Sequence, residues 1–259
     1  MERRILAVGD VTAGGLQFLR RRLPKLLRQR EIDFCVVNGE NASLVGITPE
    51  QAEAIFSAGA NVITLGNHAF NRREIVPYIA RTPELLRPAN QPPQQPGQGW
   101  GVFETPFGDV AVVNLIGRCG MDFTPDNPFL LVERILPRLQ TRLICVEIHA
   151  EATSEKQAMA WMLDGRVSAV WGTHTHVQTA DERVNPKGTG YITDIGMTGP
   201  IVSVLGVRVE QSIAMFRGDL TEYFKTAEGD CAVSGALFDI TRNGKCNSVT
   251  RVWERWNVR

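Results

Sequence analysis

The chain has 259 residues, of which 28 are Lys or Arg and 28 are Asp or Glu, so its formal net charge is zero. Hydrophobic residues make up 43% of it, which is too apolar for a disordered protein and indicates a globular one. The balanced charge argues against a protein that mainly coats nucleic acid or an acidic membrane, because no overall positive field would attract a polyanion.

Buried strands alternate with helices in the N-terminal part of the chain. Short apolar runs predict strands at Ile5–Val8, Asp33–Val37 and Asn61–Leu65. Between them, leucines at helical spacing over Leu16–Leu27 and a segment with proline in its first turn, Pro49–Ala58, predict two helices. This alternation predicts a parallel sheet with right-handed crossovers, in which ligands bind at the carboxyl ends of the strands.

The first of these helices carries many positive charges. The leucines on its other face indicate an amphipathic surface helix rather than an RNA-binding segment, and no run of aromatic residues for base stacking accompanies the charges. Pro24 is expected to kink or split this helix. The cations lie between residues 20 and 30: Arg20, Arg21, Arg22, Lys25, Arg28 and Arg30.

The rest of the chain continues the α/β pattern after a loop rich in Pro, Gln and Gly at Pro88–Gly99. With no internal repeat and no linker in the sequence, we expect a single domain over residues 1–259. The further elements are a hairpin (Trp100–Glu104 and Val110–Leu115), two helices (Phe129–Leu139 and Ser154–Leu163), two strands (Leu143–Ile148 and Ser168–Trp171) and a closing antiparallel pair (Cys231–Ile240 and Val249–Trp256).

The sequence predicts a cytoplasmic protein. No stretch approaches the ~20 apolar residues of a membrane span, and Ile5–Val8 is too short an apolar run for a signal-peptide core. The five cysteines are odd in number, far apart and without a CxxC motif, which suits a reducing compartment.

All four histidines follow predicted strands or their short turns, and so do several carboxylates and amides. Such groups gathered at one sheet edge would repel one another or lie unsatisfied in an apolar core, and a metal resolves that conflict. Nitrogen and oxygen donors without thiolate suit manganese, iron or zinc, and seven donors exceed the needs of one tetrahedral ion. The seven donors are Asp10, Glu40, Asn41, Asn67, His149, His174 and His176, and His68 is the remaining histidine at a strand end.

The order of these motifs resembles that of the calcineurin-like metallophosphoesterases. The motifs are Gly9-Asp10, Asn38-Gly39-Glu40-Asn41, Gly66-Asn67-His68, His149 and Gly172-Thr173-His174-Thr175-His176. Three longer strings are similar to the YmdB-type branch of that superfamily: HAEATSEK from residue 149, GTHTHVQTADE from residue 172 and TDIGMTGP from residue 193. The resemblance implies an α/β fold, a four-layer α/β/β/α sandwich, and hydrolysis of phosphodiesters, with 2′,3′-cyclic nucleotides as substrates.

When the ligand positions of the family are matched to this sequence, the resemblance implies two metal ions that share one carboxylate. The first ion would be held by Asp10, Glu40, Asn41 and His176, and the second by Glu40, Asn67, His149 and His174. The chain departs from the superfamily pattern at Thr12, where a histidine is usual, and at Glu40, where an aspartate is usual. Asn41 would replace the missing imidazole.

The implied mechanism is attack on phosphorus by a hydroxide that bridges the two ions, in line with the departing ribose oxygen. His68 would be the general acid, since an imidazole exchanges protons near neutral pH. The expected cofactors are two divalent or trivalent ions, iron or manganese before zinc, and the expected partner is a small phosphodiester. The residues that contact the rest of the substrate are not predicted.

One acidic residue adjoins this set within a strand. Glu147 lies two residues before His149, so both side chains should point to the same face, where Glu147 would orient the histidine. The competing interpretation is an ordinary solvated acid.

Other functions are consistent with the same residues. The protein could be a phosphomonoesterase, or a regulatory, nucleotide- or RNA-linked signalling protein that uses the metal site for binding. An amidohydrolase is disfavoured, because its HxH motif follows the first strand and here it begins at His174. Neutral charge and apolar residues such as Trp253 and Trp256 would permit a homo-oligomer.

Overall fold

The computed structural model describes residues 2–219 and 223–256, with the side chain of Trp256 excepted. The helices are α1 (Leu16–Gln29), α2 (Pro49–Ser57), α3 (Ile75–Ile79), α4 (Pro128–Ile135, followed by a 3₁₀ turn at Leu136–Arg138), α5 (Thr153–Met162) and α6 (Val209–Phe216). The strands are β1 (Arg3–Val8), β2 (Phe34–Asn38), β3 (Val62–Thr64), β4 (Leu85–Leu86), β5 (Trp100–Phe103), β6 (Val110–Ile116), β7 (Leu143–His149), β8 (Ala169–Thr173), β9 (Arg183–Val184), β10 (Gly190–Ile192), β11 (Gly199–Pro200), β12 (Cys231–Ile240) and β13 (Cys246–Trp256).

The strands form two mixed sheets. In the first sheet the order is β11-β12-β1-β2-β3-β4, and β13 pairs with β12. Strands β1 to β4 are parallel, while β12 runs antiparallel to β1. In the second sheet the order is β5-β6-β7-β8-β10-β9, with β6, β7, β8 and β10 parallel. Each sheet therefore directs the carboxyl ends of its central strands to one edge.

Three separate apolar cores show how the layers stack. One core joins the outer face of the first sheet to its helices, as where Leu19 and Ile55 cluster with Val37. A second core lies between the sheets and contains Trp171 and Phe238, whose ring centroids are 5.6 Å apart. The third joins the second sheet to α4 and α5. Helix, sheet, sheet and helix are thus stacked as the predicted four-layer α/β/β/α sandwich.

Helix α2 also braces the loop that follows β2. Thr48 and Gln51 form a capping box, in which the Thr48 hydroxyl accepts from the Gln51 N–H and the Gln51 side chain accepts from the Thr48 N–H. The side-chain amide of Gln51 then donates to the Ala42 carbonyl at 3.0 Å, and its oxygen accepts from the Ser43 hydroxyl at 2.9 Å. The start of this helix therefore holds the turn that carries Glu40.

The predicted strands and helices are present, with ends that differ by a few residues; α3, α6 and the short strands β4, β9, β10 and β11 were not predicted. Of the two expectations for Pro24, a split of α1 is wrong, because the helix continues through it as Leu16–Gln29, and a kink stays a prediction. Proline cannot donate to the carbonyl of Arg20, but Arg20 lies on the exposed face, where water can replace that bond. Four leucines of α1 are buried, as the amphipathic pattern predicted.

Within the described residues, no helix is both long and apolar enough to cross a lipid bilayer. All five cysteines are free thiols, and Cys119 is exposed while the other four are buried. Trp253 is half exposed, whereas the side chain of Trp256 lies outside the described part of the chain.

Candidate metal centre

The residues predicted to form the site all lie at the carboxyl ends of central strands, and they come from both sheets. Those after β1, β2 and β3 of the first sheet are Asp10, Glu40, Asn41, Asn67 and His68. Those at the ends of β7 and β8 of the second sheet are His149, His174 and His176. The two sheets therefore both contribute side chains to one site.

One half of the site is centred on the Nε2 atom of His149. This atom lies 3.0 Å from Oε1 of Glu40, 2.9 Å from Oδ1 of Asn67 and 3.1 Å from Nδ1 of His174. Ligand atoms of Glu40, His149 and His174 all lie within 4.8 Å of one another. Carboxylate, amide and imidazole donors at such separations can coordinate a single cation.

The other half joins Asp10, Asn41 and His176. The Nε2 atom of His176 lies 3.8 Å from Oδ1 of Asp10 and 3.0 Å from the amide nitrogen of Asn41. Oδ1 of Asp10 is buried and has no hydrogen-bond partner among the described residues. A buried carboxylate oxygen without a donor is costly, and a cation would satisfy it. Rotating the Asn41 amide would direct its oxygen towards the same point.

Glu40 links the two halves. Its Oε1 atom accepts from the Asn41 amide at 3.3 Å and faces His149, while its Oε2 accepts from the His68 N–H at 3.2 Å. The carboxylate is almost fully buried. Its position suits a bridge between two cations.

Gly66 makes room for these contacts. A Cβ atom at this position would lie 2.2 Å from Oε2 of Glu40 and 2.3 Å from Nε2 of His149. Any side chain here would displace at least one of the two groups. Glycine between β3 and Asn67 is therefore a requirement of the site.

The charges of these groups are strongly coupled. Burial by itself would raise the pKa of Glu40, but the adjacent His149 lowers it to about 2. Burial opposes protonation of His149, yet Glu40 and Asp10 raise its pKa to about 9. Burial, together with the repulsion of His149, lowers the pKa of His174 to about 4, and burial raises that of Asp10 to about 6. Carboxylates and imidazoles at these distances share protons, and a bound cation would take the place of those protons.

Behind His149, hydrogen bonds determine which ring nitrogen faces the site. Its Nδ1 atom lies 2.9 Å from the hydroxyl oxygen of Thr173, and that hydroxyl donates to Oε1 of Glu147 at 3.0 Å. Since the Thr173 proton is used by Glu147, its oxygen accepts from Nδ1–H of His149. Nε2 is then the ring nitrogen that faces Glu40, and its proton is the one that a bound cation would replace.

Glu147 is fully buried between the sheets, so its interpretation as a solvated acid is wrong. Its carboxylate also accepts from Asn38 at 2.7 Å, Thr64 at 2.8 Å and the Trp171 indole at 3.0 Å. It acts on His149 through Thr173, as an orienting group. Sequence reasoning identified Glu147 but missed Thr173, although Thr173 belongs to the HxH motif string.

The HxH loop has its own buried support. Oδ2 of Asp194 accepts from the Thr175 N–H at 3.2 Å and the Thr175 hydroxyl at 2.7 Å, and it pairs with Nζ of Lys156 at 2.7 Å. The two histidines beside Thr175 have strained backbones, with φ of 99° at His174 and 64° at His176. Asp194 and Lys156 belong to the TDIGMTGP and HAEATSEK strings, but sequence reasoning did not predict that the two side chains pair with each other.

His174 also has a carboxylate on its far side. Its Nε2 atom lies 3.3 Å from Oε2 of Glu151. With that nitrogen donating to Glu151, its Nδ1 faces His149 and the site, an arrangement common among metal-binding histidines. Sequence reasoning missed this role for Glu151.

His68 lies beside the donors rather than among them. It is partly buried, and its Nε2 atom is 3.4 Å from the amide nitrogen of Asn67. Its backbone N–H donates to Oε2 of Glu40 at 3.2 Å, which anchors the residue beside the predicted donors.

Comparison with known proteins gives a consistent result. A family model described as YmdB-like protein matches residues 6–252. A 2′,3′-cyclic-nucleotide 2′-phosphodiesterase of Bacillus subtilis (strain 168) is 44% identical over 243 residues, covering 92% of this chain and 91% of the relative. A crystal structure of a hypothetical protein from Thermus thermophilus has a TM-score of 0.91 at 37% identity, covering 97% and 99% of the two chains. A crystal structure described as a novel phosphatase of Mycoplasma pneumoniae has a TM-score of 0.92 at 32% identity, covering 99% and 95%.

Proposed function

The chain belongs to the YmdB-like protein family, and from that membership we propose that it is a metal-dependent phosphodiesterase acting on 2′,3′-cyclic nucleotides. The observation that carries the proposal is the convergence of Glu40, Asn67 and His174 on one nitrogen of His149. Nitrogen and oxygen donors with a bridging carboxylate are typical of sites that hydrolyse phosphate esters. The activity named for the Bacillus subtilis relative gives the substrate class.

The donor set fits two cations. Asp10, Asn41 and His176 would hold one, Asn67, His149 and His174 the other, and Glu40 would be shared. The unpartnered oxygen of Asp10 and the absence of thiolate donors favour iron or manganese, with zinc also accepted. Such a pair of ions, when bound, supplies an acidified water and neutralises charge on the phosphate oxygens.

The protein's own groups would complete the reaction. Water adds its hydroxyl to phosphorus and releases its other proton to solvent as the bond from phosphorus to the ribose O2′ breaks, and the product is a nucleoside 3′-phosphate. The departing O2′ needs a proton, for which His68, beside the predicted metal ligands, is the proposed donor. Asn67, adjacent in the chain, would keep His68 close to the phosphate.

A metal analysis combined with a substrate screen tests this function. The purified protein should contain close to two equivalents of iron or manganese and should hydrolyse adenosine 2′,3′-cyclic phosphate faster than the 3′,5′-cyclic isomer. Removing the ions with a chelator should abolish activity, and adding manganese should restore it. A chelator-treated protein with undiminished turnover would contradict the proposal.

A phosphomonoesterase is the second candidate, because the solved relative from Mycoplasma pneumoniae is described as a phosphatase. Adenosine 3′-phosphate added to the same screen separates the two activities. Release of inorganic phosphate from it at a rate above that of cyclic-nucleotide hydrolysis would favour the phosphatase. A regulatory protein that only binds nucleotide would show neither reaction.

The proposed location is the cytoplasm, as predicted from the sequence. The support is that the five cysteines are all free and that four of them are buried. Fractionation of cells with an antibody against the protein would test it.

A further inference from the structure

A cavity of about 220 Å³ opens beside the metal centre. His176 forms part of its wall, so the cavity is continuous with the site. The wall also contains apolar side chains and the polar side chains of Gln178, Ser203 and Ser234, and no Lys, Arg, Asp or Glu among the described residues lines it. The larger apolar side chains in the wall are Val177, Met197, Ile201, Leu205 and Trp253.

Three of these apolar side chains are exposed to solvent. The exposed fraction is 62% for Val177, 52% for Leu205 and 50% for Trp253. Single exposed apolar residues are common, but several around one concave surface usually mark a binding site. The cavity therefore suits an uncharged group that has both an apolar surface and polar atoms.

Leu205 ties this wall to the predicted metal ligands. Its φ is 53°, a left-handed conformation that is costly for leucine, and its carbonyl oxygen lies 3.3 Å from Nδ1 of His176. Strain of this kind persists where the surroundings enforce it, often at a ligand site. The same residue thus contacts a histidine of the centre and lines the cavity.

Trp253 provides an aromatic surface in the wall of the cavity. It lies on β13 opposite Ser234 of β12, and the guanidinium of Arg255 is 4.2 Å from its ring centroid. This cation–π contact restrains the ring without burying it. A half-exposed indole held in place is a suitable stacking surface for a nucleobase.

We propose that this cavity binds the nucleobase of the substrate, with Trp253 as the stacking surface and Leu205 as the wall next to the phosphate. The proposal rests on the proposed function, since it places a nucleoside phosphate at the adjoining centre. The uncharged wall cannot select a base by charge, so purine and pyrimidine nucleotides should both be accepted.

Steady-state kinetics of Trp253→Ala test the proposal with two substrates. Adenosine 2′,3′-cyclic phosphate carries a base, and glycerol 1,2-cyclic phosphate presents a cyclic phosphodiester without one. We expect KM for the nucleotide to rise about tenfold at unchanged kcat, within the range for losing one base–aromatic stack, and no change with the glycerol ester. Equal effects on both substrates, or none on the nucleotide, would overturn it.

Trp161→Ala is the matched control. Trp161 is 51% exposed and also lies under an arginine, with Arg183 at 5.4 Å, but it is near the end of α5 remote from the centre. Its replacement should leave both substrates unaffected. Trp253→Phe keeps an aromatic ring and should recover most of the nucleotide KM, which separates stacking from a folding defect.

Binding measurements separate this proposal from the proposed activity. Calorimetry with adenosine 3′-phosphate should give a Kd about tenfold weaker for Trp253→Ala than for the wild type, with no difference for inorganic phosphate. If the wild type hydrolyses neither cyclic ester, the proposed function fails, and the calorimetry still decides the cavity. Equal Kd values for the nucleotide in both proteins would refute base binding.

Discussion

Nδ1 of His149 lies 2.9 Å from the hydroxyl oxygen of Thr173, and this contact determines which nitrogen of the histidine faces the metal centre. The Thr173 proton is committed to Glu147, so the hydroxyl can only accept from the ring. Glu147 in turn is held by donors from both sheets, including Asn38 and Trp171. The packing of the two sheets thereby sets the tautomer of a predicted ligand.

Thr173→Val should weaken metal binding. The valine removes the acceptor for Nδ1–H of His149, and loss of such an orienting group lowers metal affinity by about 10- to 100-fold. Calorimetric titration of the metal-free protein with manganese measures the change.

Thr64→Val is the control for that substitution. Thr64 is equally buried and also donates to Glu147, at 2.8 Å, but it does not contact His149. Thr64→Val removes one hydrogen bond and should cost about 1 kcal/mol of unfolding free energy, whereas Thr173→Val removes two and should cost about twice that. The affinity for manganese should fall in Thr173→Val but not in Thr64→Val. Equal affinities of the two variants would show that Thr173 has no orienting role.

Gly66→Ala should empty the centre while the chain still folds. The new methyl group would displace Glu40 or His149, both of which lie within 2.3 Å of its position. Metal content by mass spectrometry should fall well below that of the wild type. Gly108→Ala, where no atom lies within 4 Å of the new methyl group, should retain its metal although its φ of 116° is unfavourable for alanine.

His68→Ala should keep the metals but lose roughly 10²- to 10⁴-fold in turnover of adenosine 2′,3′-cyclic phosphate, as expected for a general acid. Bis(4-nitrophenyl) phosphate should be affected much less, because nitrophenolate leaves without a proton. The check is to compare the ratio of kcat between the variant and the wild type for the two esters. An equal loss on both esters, or an empty centre, would contradict the role of His68.

Lys156→Met should destabilise the protein strongly. Both Lys156 and Asp194 are buried, and removing one partner of a buried ion pair costs about 3–5 kcal/mol. Arg166→Met breaks the exposed pair with Glu133 and should cost at most about 1 kcal/mol. Urea unfolding of both variants measures the difference, and a small effect of Lys156→Met would show that Asp194 is satisfied by its other donors, among them Thr175.

Much of this molecule follows from local patterns in the chain. Apolar runs such as Leu143–Ile148 predict buried strands because a strand covered on both faces has no polar alternation. Polar residues shortly after neighbouring parallel strands, such as Asp10 after β1 and Glu40 after β2, must then lie at a common edge, because parallel strands point the same way. The sequence by itself therefore determined the alternation of strands and helices and the polar residues that follow the strands, while the four-layer sandwich and the assignment of ligands were implied by its resemblance to the metallophosphoesterases.

The contacts between side chains were decided only by the tertiary structure. Thr64 and Glu147 are 83 residues apart and meet because the two sheets pack face to face. Leu205 and Trp253 come together around one cavity beside His176. No local periodicity encodes such meetings, since they depend on how distant segments are oriented by the shared cores. Strand ends can be read from neighbouring residues, but tautomers, buried ion pairs and cavities depend on long-range packing.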